Sequence, residues 1–195
     1  LVWGYALPAK RAEEVRVVAS GATYVGNQVG SQDVFLGIPY AQPPIGNLRF
    51  RKPVAFTPNG TINAQNYGPR CLQSTIVADA SEDCLTLNIW RPHEMTEPLP
   101  VMVWIYGGSF ILGESQSYPG YGIVGKSIEM DQRVIYVSMN YRLGFFGFPV
   151  GRQTMNKGAA NLGLYDQRMA IEWLQKNIWS FGGDPTKVKV TGEVF

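Results

Sequence analysis

Residues 164–191 read LYDQRMAIEWLQKNIWSFGGDPTKVKVT, and this stretch decides the fold class. Over residues 164–178 the apolar side chains recur at three- and four-residue steps, while Asp166 and other polar residues occupy the remaining faces, which predicts an amphipathic helix. The glycines and the proline of residues 182–185 end that helix, and residues 188–191 return to strand character. A helix that leads directly into a strand is the repeating connection of α/β proteins.

The strands of the sheet lie upstream of this helix. Residues 101–106 and 134–139 are continuously apolar or nearly so, as interior strands covered on both faces must be. Residues 85–90 alternate between apolar and polar side chains, which predicts a half-buried strand ended by Arg91 and Pro92. Three short β-prone runs come first, at residues 15–19, 22–25 and 34–38. We therefore predict a small antiparallel lead-in followed by a mainly parallel sheet with right-handed crossover helices.

The composition is that of a globular protein, and it argues against several functions. Hydrophobic residues make up 45% of the 195 and charged residues only 16%, so a core can form and the polar signature of disorder is absent. The 17 basic and 15 acidic side chains nearly cancel, which argues against a nucleic-acid partner. No run reaches the roughly 18 uninterrupted apolar residues that a membrane span requires.

Two cysteines and one histidine limit the metal and disulfide chemistry of the chain. Cys71 and Cys84 allow either one bridge or two free thiols, and they are too few for a zinc cluster of two paired motifs. His93 lies in a polar stretch between two apolar runs, where a solvated loop side chain is expected. A three-histidine metal site is impossible by count.

Three features favour a secretory route. Residues 1–11 form an apolar stretch that ends in a dibasic pair, which predicts the remnant of a signal peptide or propeptide, with an unstructured arm as the alternative. An Asn-Gly-Thr sequon at Asn59 lies in a turn-rich segment, where a glycan can be accommodated. The two cysteines add to these features, because disulfides persist in oxidising compartments.

A glycine-rich turn follows the strongest apolar strand at Gly107, Gly108 and Ser109. Its backbone N–H groups would project from the carboxyl end of the sheet, where α/β proteins bind ligands. Donors about 2.7 to 3.1 Å from a developing negative oxygen stabilise it strongly in a water-poor site. The turn therefore suits an oxyanion, although a tight turn without a ligand is the alternative when the motif is taken alone.

Several segments in a fixed order resemble the type-B carboxylesterase family, which includes cholinesterases and fungal extracellular lipases. The resemblance covers nearly the whole chain from about residue 22 onward. It is carried by residues 35–41 (FLGIPYA), 43–50 (PPIGNLRF), 82–89 (EDCLTLNI), 104–110 (WIYGGSF), 140–142 (NYR), 161–168 (NLGLYDQR) and 181–185 (FGGDP). The resemblance implies an α/β-hydrolase fold, with residues 12–195 forming part of that domain, and it implies no cofactor or metal.

The resemblance also implies roles for particular residues. The oxyanion donors are expected to be the backbone N–H groups of Gly108 and Ser109, with Gly107 shaping the turn. The family often has glycine where this chain has Ser109, so a backbone donor survives while the side chain narrows the pocket. Cys71 and Cys84 resemble the family's first disulfide. Structural ion pairs are expected for Arg49 with Glu82 and for Arg142 with Asp166, and these hold loops rather than catalyse.

The sequence departs from the family at the nucleophile elbow. In the family this strand-turn-helix motif reads Gly-Glu-Ser-Ala-Gly, and the strained turn exposes the serine hydroxyl. Here the strand at residues 187–191 runs into Gly192 and Glu193, and Val194 then stands in the place of serine. Valine has no nucleophilic atom, and its β-branched side chain suits a strained turn poorly. Ser115, in a Gly-Glu-Ser stretch without a preceding strand, is not expected to replace it.

Because the acid and the histidine follow the serine in this fold, neither is expected within these residues. The leading hypothesis is therefore that the chain is the N-terminal portion of a secreted serine ester hydrolase, which acts on carboxylic esters or lipids, and that these 195 residues alone are inactive. Its alternative is a non-catalytic, cholinesterase-like binding or adhesion protein, and a third hypothesis is one piece of a nicked enzyme. The resemblance implies that the loop between Cys71 and Cys84 corresponds to the lid of fungal lipases, and its shortness here favours an esterase with an open gorge.

Overall fold

A computed structural model describes residues 13–75 and 77–193. The predicted leader at residues 1–11 and the elbow position Val194 lie outside the described residues. The strands are β1 (Glu13–Ala19), β2 (Ala22–Val29), β3 (Gln32–Pro39), β4 (Gly60–Asn63), β5 (Arg70–Cys71), β6 (Ala80–Ser81), β7 (Thr86–Pro92), β8 (Leu99–Ile105), β9 (Ile135–Met139) and β10 (Gly183–Gly192). The α-helices are α1 (Tyr121–Glu129), α2 (Gly144–Gly147), α3 (Arg152–Asn156) and α4 (Leu162–Asn177). Short 3-10 helices span Gly46–Leu48, Ser115–Ser117 and Ile178–Phe181.

One large sheet organises the fold, with strand order β1-β2-β3-β7-β9-β8-β10 and β4 paired to β2. The antiparallel lead-in is confirmed for β1, β2 and β3, but antiparallel pairing continues through β7 to β9. Along this order only β9, β8 and β10 are mutually parallel. The sheet is mixed, and the parallel part predicted after the lead-in is confirmed for its last three strands, whereas β7 extends the antiparallel part. Strand β7 runs antiparallel to β8 because only residues 93–98 connect the two strands, whereas a parallel crossover needs a dozen or more residues.

The interior strands are buried, as the continuous apolar runs predict. All five residues of β9 are buried, and β8 is buried at Leu99, Val101 and Val103. The half-buried strand predicted from the alternation at residues 85–90 is wrong, because β7 is buried on both faces. Its polar residues are enclosed by hydrogen bonds rather than solvated, since the amide of Asn88 contacts Gly37, Ser115 and Ser138.

Apolar side chains cover both faces of the sheet. On one face, the rings of Tyr24, Phe35 and Trp173 pack around Phe181 at centroid distances of 5.2 to 5.9 Å. On the other, Trp90 and Tyr136 pack with Val124 of α1. Neighbouring residues of a strand point to opposite faces, so a single strand supplies both clusters.

Helix α4 confirms the predicted helix but not the predicted faces. Leu164 is 44% exposed, whereas Asp166 is completely buried and faces the protein interior. The buried face consists of Leu162, Gly163, Asp166, Ala170, Trp173, Leu174 and Asn177. It includes a carboxylate because Arg142 neutralises that group. After a short 3-10 turn, Gly182 adopts a φ of +83° and allows the chain to enter β10.

Candidate functional site

Three loops meet where β8, β9 and β10 end, at what we call the carboxyl edge of the sheet. Because these strands are parallel, Gly107 after β8, Asn140 after β9 and Glu193 after β10 all lie at this edge. Open α/β sheets bind their ligands outside the carboxyl ends of the strands. The carboxyl edge is therefore the candidate functional site.

The predicted oxyanion residues belong to a compact turn that we call the glycine loop, residues 107–113. The carbonyl oxygen of Gly108 accepts hydrogen bonds from the N–H groups of Ile111 at 2.9 Å and Leu112 at 3.2 Å. Gly108 has a φ of +116°, and a Cβ atom there would overlap the carbonyl oxygen of Leu112. Glycine is required at this position on both counts.

Two consecutive residues of the glycine loop have a strained backbone. Ser109 and Phe110 adopt φ values of +54° and +61°, although neither is glycine. Each such residue costs about 1 to 2 kcal/mol relative to a right-handed conformation. Strain of this kind persists where the surrounding structure over-determines the backbone, and it clusters at functional sites.

A pair of stacked tyrosines holds the start of the glycine loop. The rings of Tyr106 and Tyr141 lie 4.6 Å apart at an interplanar angle of 18°. The Tyr141 hydroxyl donates to the carbonyl oxygen of Tyr106 at 2.8 Å, and the Tyr106 hydroxyl donates to the carbonyl oxygen of Tyr141 at 3.2 Å. Burial raises the pKa of Tyr141 to about 12, so its hydroxyl stays protonated and donates at neutral pH.

The remnant of the elbow lies directly beside the glycine loop. Glu193 donates its backbone N–H to the carbonyl oxygen of Ile105 at 3.2 Å, and its carboxylate accepts a 2.8 Å hydrogen bond from the Tyr118 hydroxyl. A Cβ atom on Gly107 would lie 3.0 Å from the carbonyl oxygen of Glu193. Gly192 is the last residue of β10 and pairs with Ile105. Glu193 therefore lies at the edge where the glycine loop begins.

A disulfide and two ion pairs brace the loops around this edge. Cys71 and Cys84 form the disulfide, and both are buried. The guanidinium of Arg49 contacts both carboxylate oxygens of Glu82 at 2.6 and 2.7 Å, and the pair is partly exposed. The disulfide and this ion pair thus lie within a few residues of each other in the chain.

The second ion pair is buried and more extensively bonded. Asp166 accepts hydrogen bonds from Nε and Nη2 of Arg142 at 2.8 and 2.7 Å, and from the Arg142 backbone N–H at 3.1 Å. The remaining donor of the guanidinium, Nη1, reaches the carbonyl oxygen of Arg51 at 2.9 Å. Burial raises the pKa of Asp166, and the hydrogen bonds from Arg142 oppose that shift. The pair ties α4 to the loop after β9.

Ser115 lies near the glycine loop but is enclosed. It is 1% exposed, and its hydroxyl oxygen accepts a 3.0 Å hydrogen bond from the Asn88 amide. Its backbone N–H donates to the side-chain oxygen of Asn140 at 3.0 Å. The hydroxyl is therefore part of a buried polar network and is not presented to a substrate.

His93 lies at the opposite edge of the sheet. It follows β7, which runs antiparallel to β9 and hence to β8, so about 20 Å, the rise of a seven-residue strand, separates it from the glycine loop. Its Nδ1 atom lies 2.6 Å from the buried carboxylate of Asp33, which also binds Arg91. The expectation of an exposed loop side chain is confirmed, and Asp33 in addition binds one ring nitrogen.

Sequence reasoning missed the polar residues that support the site. Asn88 and Asn140 link three backbone segments under the glycine loop, and Gln73 contacts its last residue. A signal existed for Asn88, because a polar residue between Leu87 and Ile89 in a buried strand must be hydrogen-bonded. Gln73 lies in an irregular loop that offers no such signal.

Comparisons with known proteins identify the family of this chain. A model of the carboxylesterase family matches residues 15–194. The chain belongs to the carboxylesterase family. Lipase 2 of Diutina rugosa is 40% identical, over 95% of this chain and 39% of its own length. Lipase 1 of Geotrichum candidum is 41% identical, over 90% of this chain and 38% of its own length. A secreted triacylglycerol lipase of Gibberella zeae is 38% identical.

Solved structures of carboxylesterases share the fold. A thermophilic pNB esterase superposes with a TM-score of 0.83 at 37% identity, over 92% of this chain and 38% of its own. EstA of Aspergillus niger gives 0.84 at 34% identity, over 92% of this chain and 35% of its own. The prediction of a partial α/β-hydrolase fold is confirmed. This member of the carboxylesterase family spans less than two-fifths of the length of these relatives.

Two further properties of the described residues bear on chemistry. Within residues 13–75 and 77–193, no group of three or more His, Cys, Asp or Glu side chains is placed to hold a metal ion. No helix in that same part of the chain is both long enough and apolar enough to cross a bilayer.

Proposed function

We propose that this chain supplies the oxyanion-stabilising portion of a secreted serine carboxylic-ester hydrolase. The observation that carries the proposal is the glycine loop at the carboxyl edge, strained at Ser109 and directly beside Glu193. Preorganised backbone donors contribute to acyl transfer by stabilising the negative oxygen of the tetrahedral intermediate. The relatives that match this chain include lipases and esterases, which favours carboxylic esters or lipids as substrates.

In the proposed reaction, a serine hydroxyl attacks the ester carbonyl carbon while a general base takes its proton and then passes it to the departing alcohol, and the oxygen that becomes negative accepts hydrogen bonds from the N–H groups of Gly108 and Ser109. Expulsion of the alcohol leaves an acyl-enzyme, which water then hydrolyses. Gly107 shapes the turn, because a side chain there would press on the backbone of Glu193. The stacked tyrosines fix the peptide that enters the turn.

The nucleophile of this reaction is not supplied by residue 194, because Val194 stands where the family has serine. The same valine favours a second candidate, a non-catalytic binding or adhesion protein that keeps the fold. The hydrolase remains the better-supported proposal, because the similar proteins named above are lipases and esterases.

The isolated 195-residue chain is expected to be inert toward esters. Incubation with a chromogenic ester should give no saturable turnover, and a fluorophosphonate probe should leave the mass of the chain unchanged. The physical reason is that Val194 carries no nucleophile and the Ser115 hydroxyl is buried against Asn88. Turnover accompanied by covalent labelling at Ser109 or Ser115 would overturn this expectation.

Secretion and glycosylation form part of the proposal. Asn59 is exposed in the turn that precedes β4, and Gly60 has a φ of +67° there. The disulfide between Cys71 and Cys84 fits an oxidising compartment. We expect the protein expressed through a eukaryotic secretory route to lose mass on digestion with an N-glycosidase. A Thr61→Ala variant should not be modified, whereas Thr61→Ser should be, and equal modification of both would contradict a glycan at Asn59.

A further inference from the structure

The side chain of Gln73, in the loop closed by the disulfide, contacts the glycine loop. The amide oxygen of Gln73 accepts a 3.0 Å hydrogen bond from the backbone N–H of Gly113. The amide nitrogen of Gln73 donates to the carbonyl oxygen of Gly113 and to the carbonyl oxygen of Cys71, both at 3.3 Å. A single side chain thus binds both backbone groups of the last residue of the glycine loop.

The anchor of this contact is covalent. Cys71 is buried and cross-linked to Cys84, and Gln73 follows it by two residues. The backbone N–H of Ser74 adds a 3.3 Å hydrogen bond to the carbonyl oxygen of Ile111, inside the glycine loop. Movement of the glycine loop away from the disulfide would therefore break contacts at two of its residues.

The chemistry of the contact requires a primary amide. Gly113 presents one donor and one acceptor, and a glutamine side chain offers an acceptor oxygen and two N–H donors in a fixed plane. Glutamate would retain the acceptor but lose both donors, and alanine would lose all three groups. Comparing the two substitutions therefore distinguishes the hydrogen bond that Gln73 accepts from the N–H of Gly113 from the one that it donates to the carbonyl oxygen of Gly113.

Gly113 transmits its position to the start of the glycine loop. It has a φ of +126°, and a Cβ atom there would lie 2.5 Å from Cδ2 of Tyr106 and 2.8 Å from the carbonyl oxygen of Gly107. The two ends of the glycine loop are therefore in close contact. Displacement of Gly113 would shift the peptide between Gly107 and Gly108, which carries the N–H of Gly108.

We propose that Gln73 is a positioning residue, which holds Gly113 from the disulfide-closed loop and thereby sets the orientation of the Gly108 and Ser109 N–H groups. Its importance for catalysis rests on the proposed function, whereas its structural effect does not. The substrate is not expected to touch Gln73, which acts through Gly113 alone.

The test uses the 195-residue chain labelled with ¹⁵N and followed by NMR. Gln73→Ala should speed hydrogen exchange of the Gly113 amide about tenfold, the equivalent of a lost hydrogen bond of about 1.4 kcal/mol. It should also shift or broaden the Gly108 and Ser109 amide resonances. Gln73→Glu keeps the acceptor and should restore slow exchange at Gly113. Gln42→Ala is the control, because Gln42 is exposed and its side-chain amide makes a long, 3.5 Å hydrogen bond to the carbonyl oxygen of Ala55.

Each outcome decides the proposal. Unchanged exchange at Gly113 in Gln73→Ala would overturn it, as would faster exchange with unmoved Gly108 and Ser109 resonances. If Gln73→Ala fails to fold, Gln73→Met takes its place, because it fills similar space without the amide groups, and unmoved Gly108 and Ser109 resonances in it would overturn the coupling. If the resonances respond as expected, but the chain joined to a relative's catalytic serine and its partners hydrolyses no ester, the positioning role stands and the proposed function fails.

Discussion

Asp166→Ala is expected to lower the free energy of unfolding by about 3 to 5 kcal/mol, because it leaves the charge of Arg142 buried without a partner. Arg142 is 3% exposed and Asp166 is fully buried, so water cannot replace the lost carboxylate. Three hydrogen bonds from Arg142 would also lose their acceptor. Urea unfolding of the 195-residue chain, followed by tryptophan fluorescence, measures the loss.

Two controls separate charge burial from loss of packing. Replacing both partners, as in Arg142→Met with Asp166→Leu, should recover much of the loss, because no unpaired charge remains. Glu82→Ala removes the partner of Arg49 at a partly exposed site, and its effect should be much smaller because solvent screens that pair. Equal effects of Glu82→Ala and Asp166→Ala would contradict the distinction between the two ion pairs.

Strands and the glycine loop could be predicted because their signals are local. Continuous apolar runs mark β8 and β9, and consecutive glycines after β8 mark the turn at the carboxyl edge. Helix α4 could also be predicted, because its apolar side chains recur at three- and four-residue steps. Its buried face could not, because Asp166 is buried only through Arg142, a partner 24 residues away in the chain. A charged residue on a helix indicates solvent unless such a partner is known.

Non-local pairing limited the rest of the prediction. The alternation in β7 resembled a half-buried strand, but the polar side chain of Asn88 bonds to Gly37, Ser115 and Ser138 and not to water. The direction of β7 relative to β9 depends on which strands become neighbours, and no local pattern gives this. The disulfide followed from the resemblance and is confirmed, whereas the oxyanion roles of Gly108 and Ser109 stay predictions.

The largest functional effect is expected at Gly108 in a hybrid enzyme. Joining residues 15–193 to the remainder of the thermophilic pNB esterase, from its nucleophilic serine onward, restores an attacking group to this glycine loop; that esterase superposes on 92% of the chain. Gly108→Ala in the hybrid should lower kcat about 10²- to 10³-fold, the effect of losing one oxyanion donor. A Cβ atom at Gly108 overlaps the carbonyl oxygen of Leu112 and displaces the N–H.

The control substitution is Gly122→Ala on α1, because Gly122 has open space around it and its helical backbone accepts alanine. The kcat of the Gly122→Ala hybrid should equal that of the unmodified hybrid. These two proteins should also show the same cooperative thermal transition.

Turnover of a chromogenic ester by the folded hybrid, with and without Gly108→Ala, is the most direct measurement of whether this chain stabilises an oxyanion. We predict saturable hydrolysis by the hybrid and a loss of at least about 100-fold in the Gly108→Ala form. A folded hybrid that hydrolyses no ester, or one whose kcat is the same with alanine at position 108, would contradict that role.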